Sequence, residues 1–315
     1  MTAVRRRVVL DCDPGHDDAM AILLAAASPE LELVAITTVA GNQTLEKTTL
    51  NARRVCGVAG ILDVPIAAGC DRPLVRELLL AEDIHGASGL DGVDWDEPTV
   101  PLDPRHGVDL IIEAASAGPG PLTIVAVGPL TNVATALRRD PDLAGRVERI
   151  AVMGGAIGLG NTTPSAEFNI HVDPEAADEV FRAGIPITLV PLEVTHRALA
   201  TDSVLGRIAA LDTPVARMSV ALMRFFAETY LRVFGFEAPA VHDPCAVAAV
   251  IDPAVVPSRR MNVAIDTESS LSLGRTVCDV YAKTGRAPNA DVGIGLDVDA
   301  FWDLMLAALA TYGRA

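Results

Sequence analysis

Basic side chains are scarce in this sequence: 25 Lys and Arg stand against 41 Asp and Glu, a formal charge of −16. Phosphate backbones are held by Lys and Arg through counterion release, so a nucleic acid polymer is not the expected partner. Five cysteines (Cys12, Cys56, Cys70, Cys245 and Cys278) include no C-x-x-C pair. An odd, scattered set suits reduced core thiols, not a disulfide framework, and no Cys or His cluster points to zinc. Long apolar runs are missing as well. One of the longest, residues 19–27, stops at Ser28, well short of the ~18 to 20 residues that cross a bilayer. Arg5, Arg6 and Arg7 precede only Val8, Val9 and Leu10 before Asp11, too little for a signal peptide. The expectation is a cytoplasmic protein with no membrane partner.

What the sequence does have is a large apolar fraction, 50% of 315 residues, enough to bury a sizeable core. Short β-branched runs alternate with longer helical stretches, and each run ends in Gly, Pro, Asn or Asp. The pattern predicts strands at 8–10, 33–39, 66–68, 122–127, 150–153 and 187–190, with helices at 18–27, 45–58, 107–117, 131–139 and 174–183. Strand then helix, repeated, is the sequence form of an α/β fold: a mostly parallel, open, Rossmann-like sheet with helices on both faces. No fixed-period repeat or low-complexity linker interrupts it, so one domain over 1–315 is expected. Segments 70–104 and 154–171 break the rhythm and read as working loops or lids. Residues 201–236 turn helical, followed by a helix at 243–251 with Asp243 at its N-cap and Pro244 at its first position. Strands at 261–265, 277–281 and 292–296 and a helix at 300–312 complete the chain, as a subdomain or a sheet extension.

Residues 11–18 read Asp-Cys-Asp-Pro-Gly-His-Asp-Asp, with four carboxylates where the first strand gives way to the first helix. Carboxylates this close raise one another's pKa unless a cation or hydrogen-bond donors neutralise them. Helix capping by Asp17 and Asp18, with Asp11 and Asp13 tying loop amides, is one account. The other is a hard divalent cation, Ca²⁺ or Mg²⁺, held by carboxylate oxygens. In an open parallel sheet the ligand crevice lies beyond the C-terminal strand ends. Asn42, Gly128 and the segment 161–169 each follow a strand and are expected at that same edge.

These residues carry a resemblance. Segments Asp11-Cys12-Asp13-Pro14-Gly15-His16-Asp17-Asp18-Ala19, Val39-Ala40-Gly41-Asn42, Gly128-Pro129-Leu130-Thr131-Asn132, Met153-Gly154-Gly155, Glu167-Phe168-Asn169 and His242-Asp243-Pro244 occur in order. With them the chain resembles the inosine-uridine-preferring nucleoside hydrolase family. The resemblance implies hydrolysis of the N-glycosidic bond of a ribonucleoside to ribose and free base, with Ca²⁺ bound. Carried over residue by residue, the metal ligands would be Asp13, Asp18, Asp243 and the main-chain carbonyl of Val127. Asp13 would also be the general base, acting on a water held by the ion. Asp17, Asn42, Asn161, Glu167 and Asn169 would grip the ribose, with Met153 and Phe168 beside it. His242 is similar to the histidine that assists the leaving base in one branch of the family. His85, in the loop 84–90, resembles the family's flap histidine and would approach the base. Relatives imply a homodimer or homotetramer.

The chemistry suits these residue types. Breaking the bond from C1′ to nitrogen builds an oxocarbenium-like cation, which a carboxylate-lined crevice favours. Imidazole titrates near the working pH and can serve a leaving base. Phe225, Phe226, Tyr230 and Phe234 recur at helical spacing and read first as core; Tyr230 is retained as a substrate contact. Phe226 and Phe234 stand where some relatives have polar side chains that read the base, so base preference stays open. Two alternatives remain. Asp11-x-Asp13 after a first strand also resembles the Mg²⁺-dependent aspartate-motif phosphohydrolases, and a non-catalytic nucleoside or sugar receptor would use the same donors.

Overall fold

The computed structural model describes residues 5–313. Its strands are β1 (Arg6–Cys12), β2 (Leu31–Thr38), β3 (Ile66–Ala68), β4 (Leu122–Ala126), β5 (Val147–Met153), β6 (Ile187–Val190), β7 (Ser258–Met261), β8 (Val263–Ile265), β9 (Thr276–Cys278) and β10 (Ala290–Gly293). The helices are α1 (His16–Ala27), α2 (Leu45–Ala59), α3 (Glu82–His85), α4 (Gly107–Ser116), α5 (Thr131–Arg139), α6 (Phe168–Val172), α7 (Pro174–Arg182), α8 (Leu192–Thr195), α9 (Asp202–Ala209), α10 (Pro214–Phe234), α11 (Pro244–Ile251) and α12 (Val298–Thr311).

An 8-stranded sheet runs in the order β3-β2-β1-β4-β5-β6-β10-β7. Neighbours are parallel except β10 and β7, which are antiparallel. Side chains alternate across β1. Val8, Leu10 and Cys12 join a core with α1, α2, α10, α11 and α12, whereas Val9 joins the opposite core with α4, α5 and α7. The chain leaves β1 for β2 and β3 on one side and returns for β4 on the other. Strand order therefore reverses between β1 and β4, where the C-terminal ends part into a crevice.

Several boundaries differ from the sequence expectation. Helix α1 starts at His16, two residues earlier than expected, because the Asp18 carboxylate accepts the Gly15 N–H at 3.0 Å and fastens the first turn. The helical stretch at 201–236 is two helices, parted where Asp212 takes a positive φ of 49° and Thr213 caps α10 ahead of Pro214. The strand expected at 261–265 is split: β7 forms the sheet edge against β10, and β8 pairs with β9 in a separate ribbon. The last third thus extends the main sheet, through β10 on β6, and adds that ribbon.

Candidate active site

Asp13 follows directly on β1 and is wholly buried. Its Oδ2 accepts the Asn42 N–H at 2.7 Å, while Oδ1 has no hydrogen-bond partner. Two glycines make room for it: a Cβ on Gly41 would lie 2.2 Å from Oδ2, and one on Gly128 2.5 Å from Oδ1. Asp18 reaches back to accept the N–H groups of Asp13 and Gly15, each at 3.0 Å, and the Asn42 amide at 3.2 Å. Asp17 does no capping; its Oδ2 accepts the His242 N–H at 3.3 Å. Asp243 occupies the N-cap position of α11, but its side chain makes no cap bond and is left for the crevice.

Asp17, Asp18 and Asp243 each offer a carboxylate oxygen, all buried and within 4.8 Å of one another. Asp17, assigned to ribose by the resemblance, therefore belongs to this tight group, and Asp13 lies beside it. Burial, reinforced by the neighbouring carboxylates, lifts Asp13 and Asp243 well above the usual carboxylate range and Asp17 to about 8. Burial also raises Asp18, against the N–H groups that hold it. Such a cluster favours a positive charge in its midst. An all-oxygen donor set with one orphaned buried oxygen, Asp13 Oδ1, fits a hard divalent cation.

Asp11 stands behind the site. It is fully buried, its Oδ1 accepts from Thr37 Oγ1 at 2.6 Å and Asn132 Nδ2 at 2.7 Å, and burial raises its pKa to about 7. An aspartate-motif phosphohydrolase would need Asp11 as an accessible nucleophile. That alternative is set aside.

Above the carboxylates opens a cavity lined by every residue nominated from the sequence except Asp13 and Asp18, which lie one layer deeper against Asn42. Asn42, Val127 and Met153 arrive from the ends of β2, β4 and β5, as the strand-end rule requires, and Asn169 comes from the first turn of α6. The Asn169 amide donates to the carbonyls of Val127 at 2.8 Å and Met153 at 3.2 Å. Glu167 caps α6, accepting the N–H groups of Asn169, Ile170 and Gly155, and burial lifts it to about 7. Asn161 Oδ1 accepts the Phe168 N–H at 3.0 Å. These polar residues both tie the loop and face the cavity.

The other end of the cavity is apolar. Phe226 and Tyr230 are buried, as a core reading of α10 expects, yet both line the cavity together with Phe234. His242 Nδ1 lies 2.7 Å from Thr195 Oγ1, and its Nε2 is hydrogen-bonded to the Tyr230 hydroxyl. Burial pushes His242 down to about 3, so its ring is neutral near pH 7. His85 lines the same end and pairs with His16, whose pKa burial lowers to about 4. Sequence alone assigns no role to His16 or Thr195. The only signals were that His16 sits inside the acidic motif and that Thr195 follows β6.

The fold and cavity have a known counterpart. The chain matches the model of the inosine-uridine preferring nucleoside hydrolases over residues 8–303, and it belongs to that family. It is thus an enzyme, a ribonucleoside hydrolase. Its sequence is 46% identical over 309 residues to the pyrimidine-specific ribonucleoside hydrolase RihA of Shewanella sp. strain MR-7, covering 98% of this chain and 97% of that protein. It is 47% identical over 310 residues to the inosine-uridine preferring nucleoside hydrolase of Crithidia fasciculata, covering 98% of each. The solved purine-preferring ribonucleoside hydrolase from Gardnerella vaginalis matches with a TM-score of 0.91 at 30% identity, over 98% of this chain and 99% of that one. The three names carry three base preferences on one fold. A receptor without catalysis is thereby excluded. No helix among the described residues is long and apolar enough to cross a membrane.

Proposed function

We propose that this hydrolase releases ribose and free base with Ca²⁺ held by Asp13, Asp18, Asp243 and the Val127 carbonyl. The observation that carries the reading is the buried, unpartnered Oδ1 of Asp13 beside the Asp17, Asp18 and Asp243 carboxylates. When bound, a divalent cation neutralises these carboxylates and acidifies water in its reach. Asp13 then takes the proton of the attacking water, a role worth roughly 10² to 10⁴ in rate.

Asp17, Asn42, Asn161, Glu167 and Asn169 hold the ribose hydroxyls, with Met153 and Phe168 against the sugar. Fixing those hydroxyls orients C1′ over the carboxylates, whose negative field favours the oxocarbenium-like transition state. His242 and Tyr230 serve the leaving base. With the Thr195 hydroxyl donating to Nδ1, the Nε2–H of neutral His242 donates to the Tyr230 oxygen and turns the tyrosine O–H toward the base. His85 meets the base from the opposite side. Copies of the chain associate as a dimer or tetramer, which light scattering reads directly.

The test is a panel of ribonucleosides assayed for reducing-sugar release, before and after chelation, with elemental analysis of the purified enzyme. Stoichiometric calcium and loss of release on chelation are expected. Full activity in metal-free enzyme would refute the reading.

A further inference from the structure

A second chamber adjoins the nucleoside cavity, and the mechanism above gives it no work. About 580 Å³ in volume, it opens between α8, the end of α10 and the segment 154–171, and it shares Asn161, Tyr230 and Phe234 with the main cavity as walls. The rest of its surface is mostly apolar, from Leu159, Leu192 and Phe236. Leu192 is buried, whereas Leu159 stands 78% exposed at the rim.

The chamber walls are fixed from within the fold. Glu193 on α8 accepts the N–H groups of Ile157 and Gly158, at 2.9 and 2.7 Å, and so fastens the segment that carries Leu159 and Asn161. His196 stands edge-on to Phe236 and His242, with ring centroids 5.4 and 5.6 Å away. The acidic group on the wall is this Glu193 carboxylate, already engaged by main-chain donors. Among the described residues no Lys or Arg lines the chamber, so a phosphate finds no partner there, while an apolar group meets apolar side chains.

Stereochemistry says which part of a nucleoside can reach it. In a β-ribonucleoside the base and C5′ stand on one face of the furanose ring, and the 2′ and 3′ hydroxyls on the other. The attacking water comes from the face opposite the base, where Asp13 acts, so C5′ points away from the carboxylates. The chamber has this same placement. It touches Asn161, assigned to ribose, and Tyr230, assigned to the leaving base, and none of Asp13, Asp17, Asp18 or Asp243. We infer that the chamber is a subsite for an apolar substituent on C5′, so that the enzyme hydrolyses 5′-deoxy-5′-alkylthio ribonucleosides as well as the parent nucleosides. The reaction is unchanged: water gives its hydroxyl to C1′ and a hydrogen to the base, and the bond from C5′ to sulfur stays intact. The inference rests on the proposed seat of ribose and base.

The test compares the methylthio, ethylthio and propylthio members of the 5′-deoxy-5′-alkylthiouridine series, assayed for release of uracil. Along the series kcat/KM should rise by about threefold for each added methylene. The gain should fall on KM, with kcat changed less than about threefold, because binding remote from C1′ is equal in ground and transition states. Leu159→Asp sets a carboxylate at the rim of the chamber. In that variant the gain per methylene should fall toward one, while kcat/KM for uridine changes less than about threefold. A kcat/KM that stays level or declines along the series, or a gain unchanged in the variant, overturns the proposal. Calorimetry on the same compounds gives a second readout: affinity is expected to rise in step, and flat affinity overturns the proposal whether or not any riboside is hydrolysed. Absence of hydrolysis of uridine itself would instead count against the nucleoside reading.

Discussion

The Tyr230 hydroxyl and His242 Nε2 are joined by a hydrogen bond on the cavity wall, and Thr195 holds the opposite nitrogen of the same ring. If hydrogen reaches the leaving base along this line, Tyr230→Phe and His242→Phe should lose similar amounts on inosine and uridine. General-acid assistance of this kind is worth about 10² to 10⁴. Both variants should lose far less on nitrophenyl riboside, whose leaving group needs no hydrogen. Equal losses on both substrate types, measured as kcat, would reject the role.

Asp13→Asn is the cleanest test of the base. An amide oxygen can still accept the Asn42 N–H, so the fold should persist by circular dichroism. Turnover should drop by about 10² or more. Wild-type kcat in the D13N enzyme would leave the reaction without its proposed base.

Gly128 is predicted to tolerate no side chain. The Cβ of Gly128→Ala would sit 2.5 Å from Asp13 Oδ1, and the carboxylate it meets is already held by the Asn42 N–H. Overpacking of this kind costs about 1 to 3 kcal/mol. A lowered melting temperature together with a kcat loss is expected; wild-type values for both would mean that the carboxylate does not need its present position.

Metal-free enzyme should weaken as pH rises through neutrality. Burial lifts Asp11 and Glu167 to about 7 and Asp17 to about 8. Between the ordinary carboxylate range and those values, the folded chain keeps protons that the unfolded chain has lost. The contribution of these carboxylates is therefore highest at the acid end of that window; His16 and His242, lowered by burial to about 4 and 3, oppose it up to the ordinary histidine range, so the net fall is expected from there through neutrality. A bound cation takes the protons' place, so the Ca²⁺-induced rise in melting temperature should grow as pH increases through that window. A rise that is constant or shrinks over that range would contradict the cluster's electrostatics.

The parallel part of the sheet was readable because its strands are apolar on both faces, leaving short unbroken runs such as 8–10 and 150–153. The ends were less so. Arg7 belongs to β1 yet is polar, its guanidinium hidden because it donates to the carbonyls of Ala114 and Gly120. Strand β7, Ser-Arg-Arg-Met, is exposed over its first three residues and has no apolar alternation to betray it. The acidic loop was legible because self-repulsion demands an explanation wherever the loop folds. His16 was not, since its meaning depends on a histidine 69 residues away brought over it by an irregular segment.

The His242 main chain donates to Asp17 across 225 positions of sequence, and Asp243 completes the acidic group beside it. During synthesis, then, the repelling loop emerges long before α11 and waits for it before its charges can be gathered. Nascent or truncated chains lacking α11 should be catalytically silent, and a cation seated in that group would arrive as one of the last acts of folding.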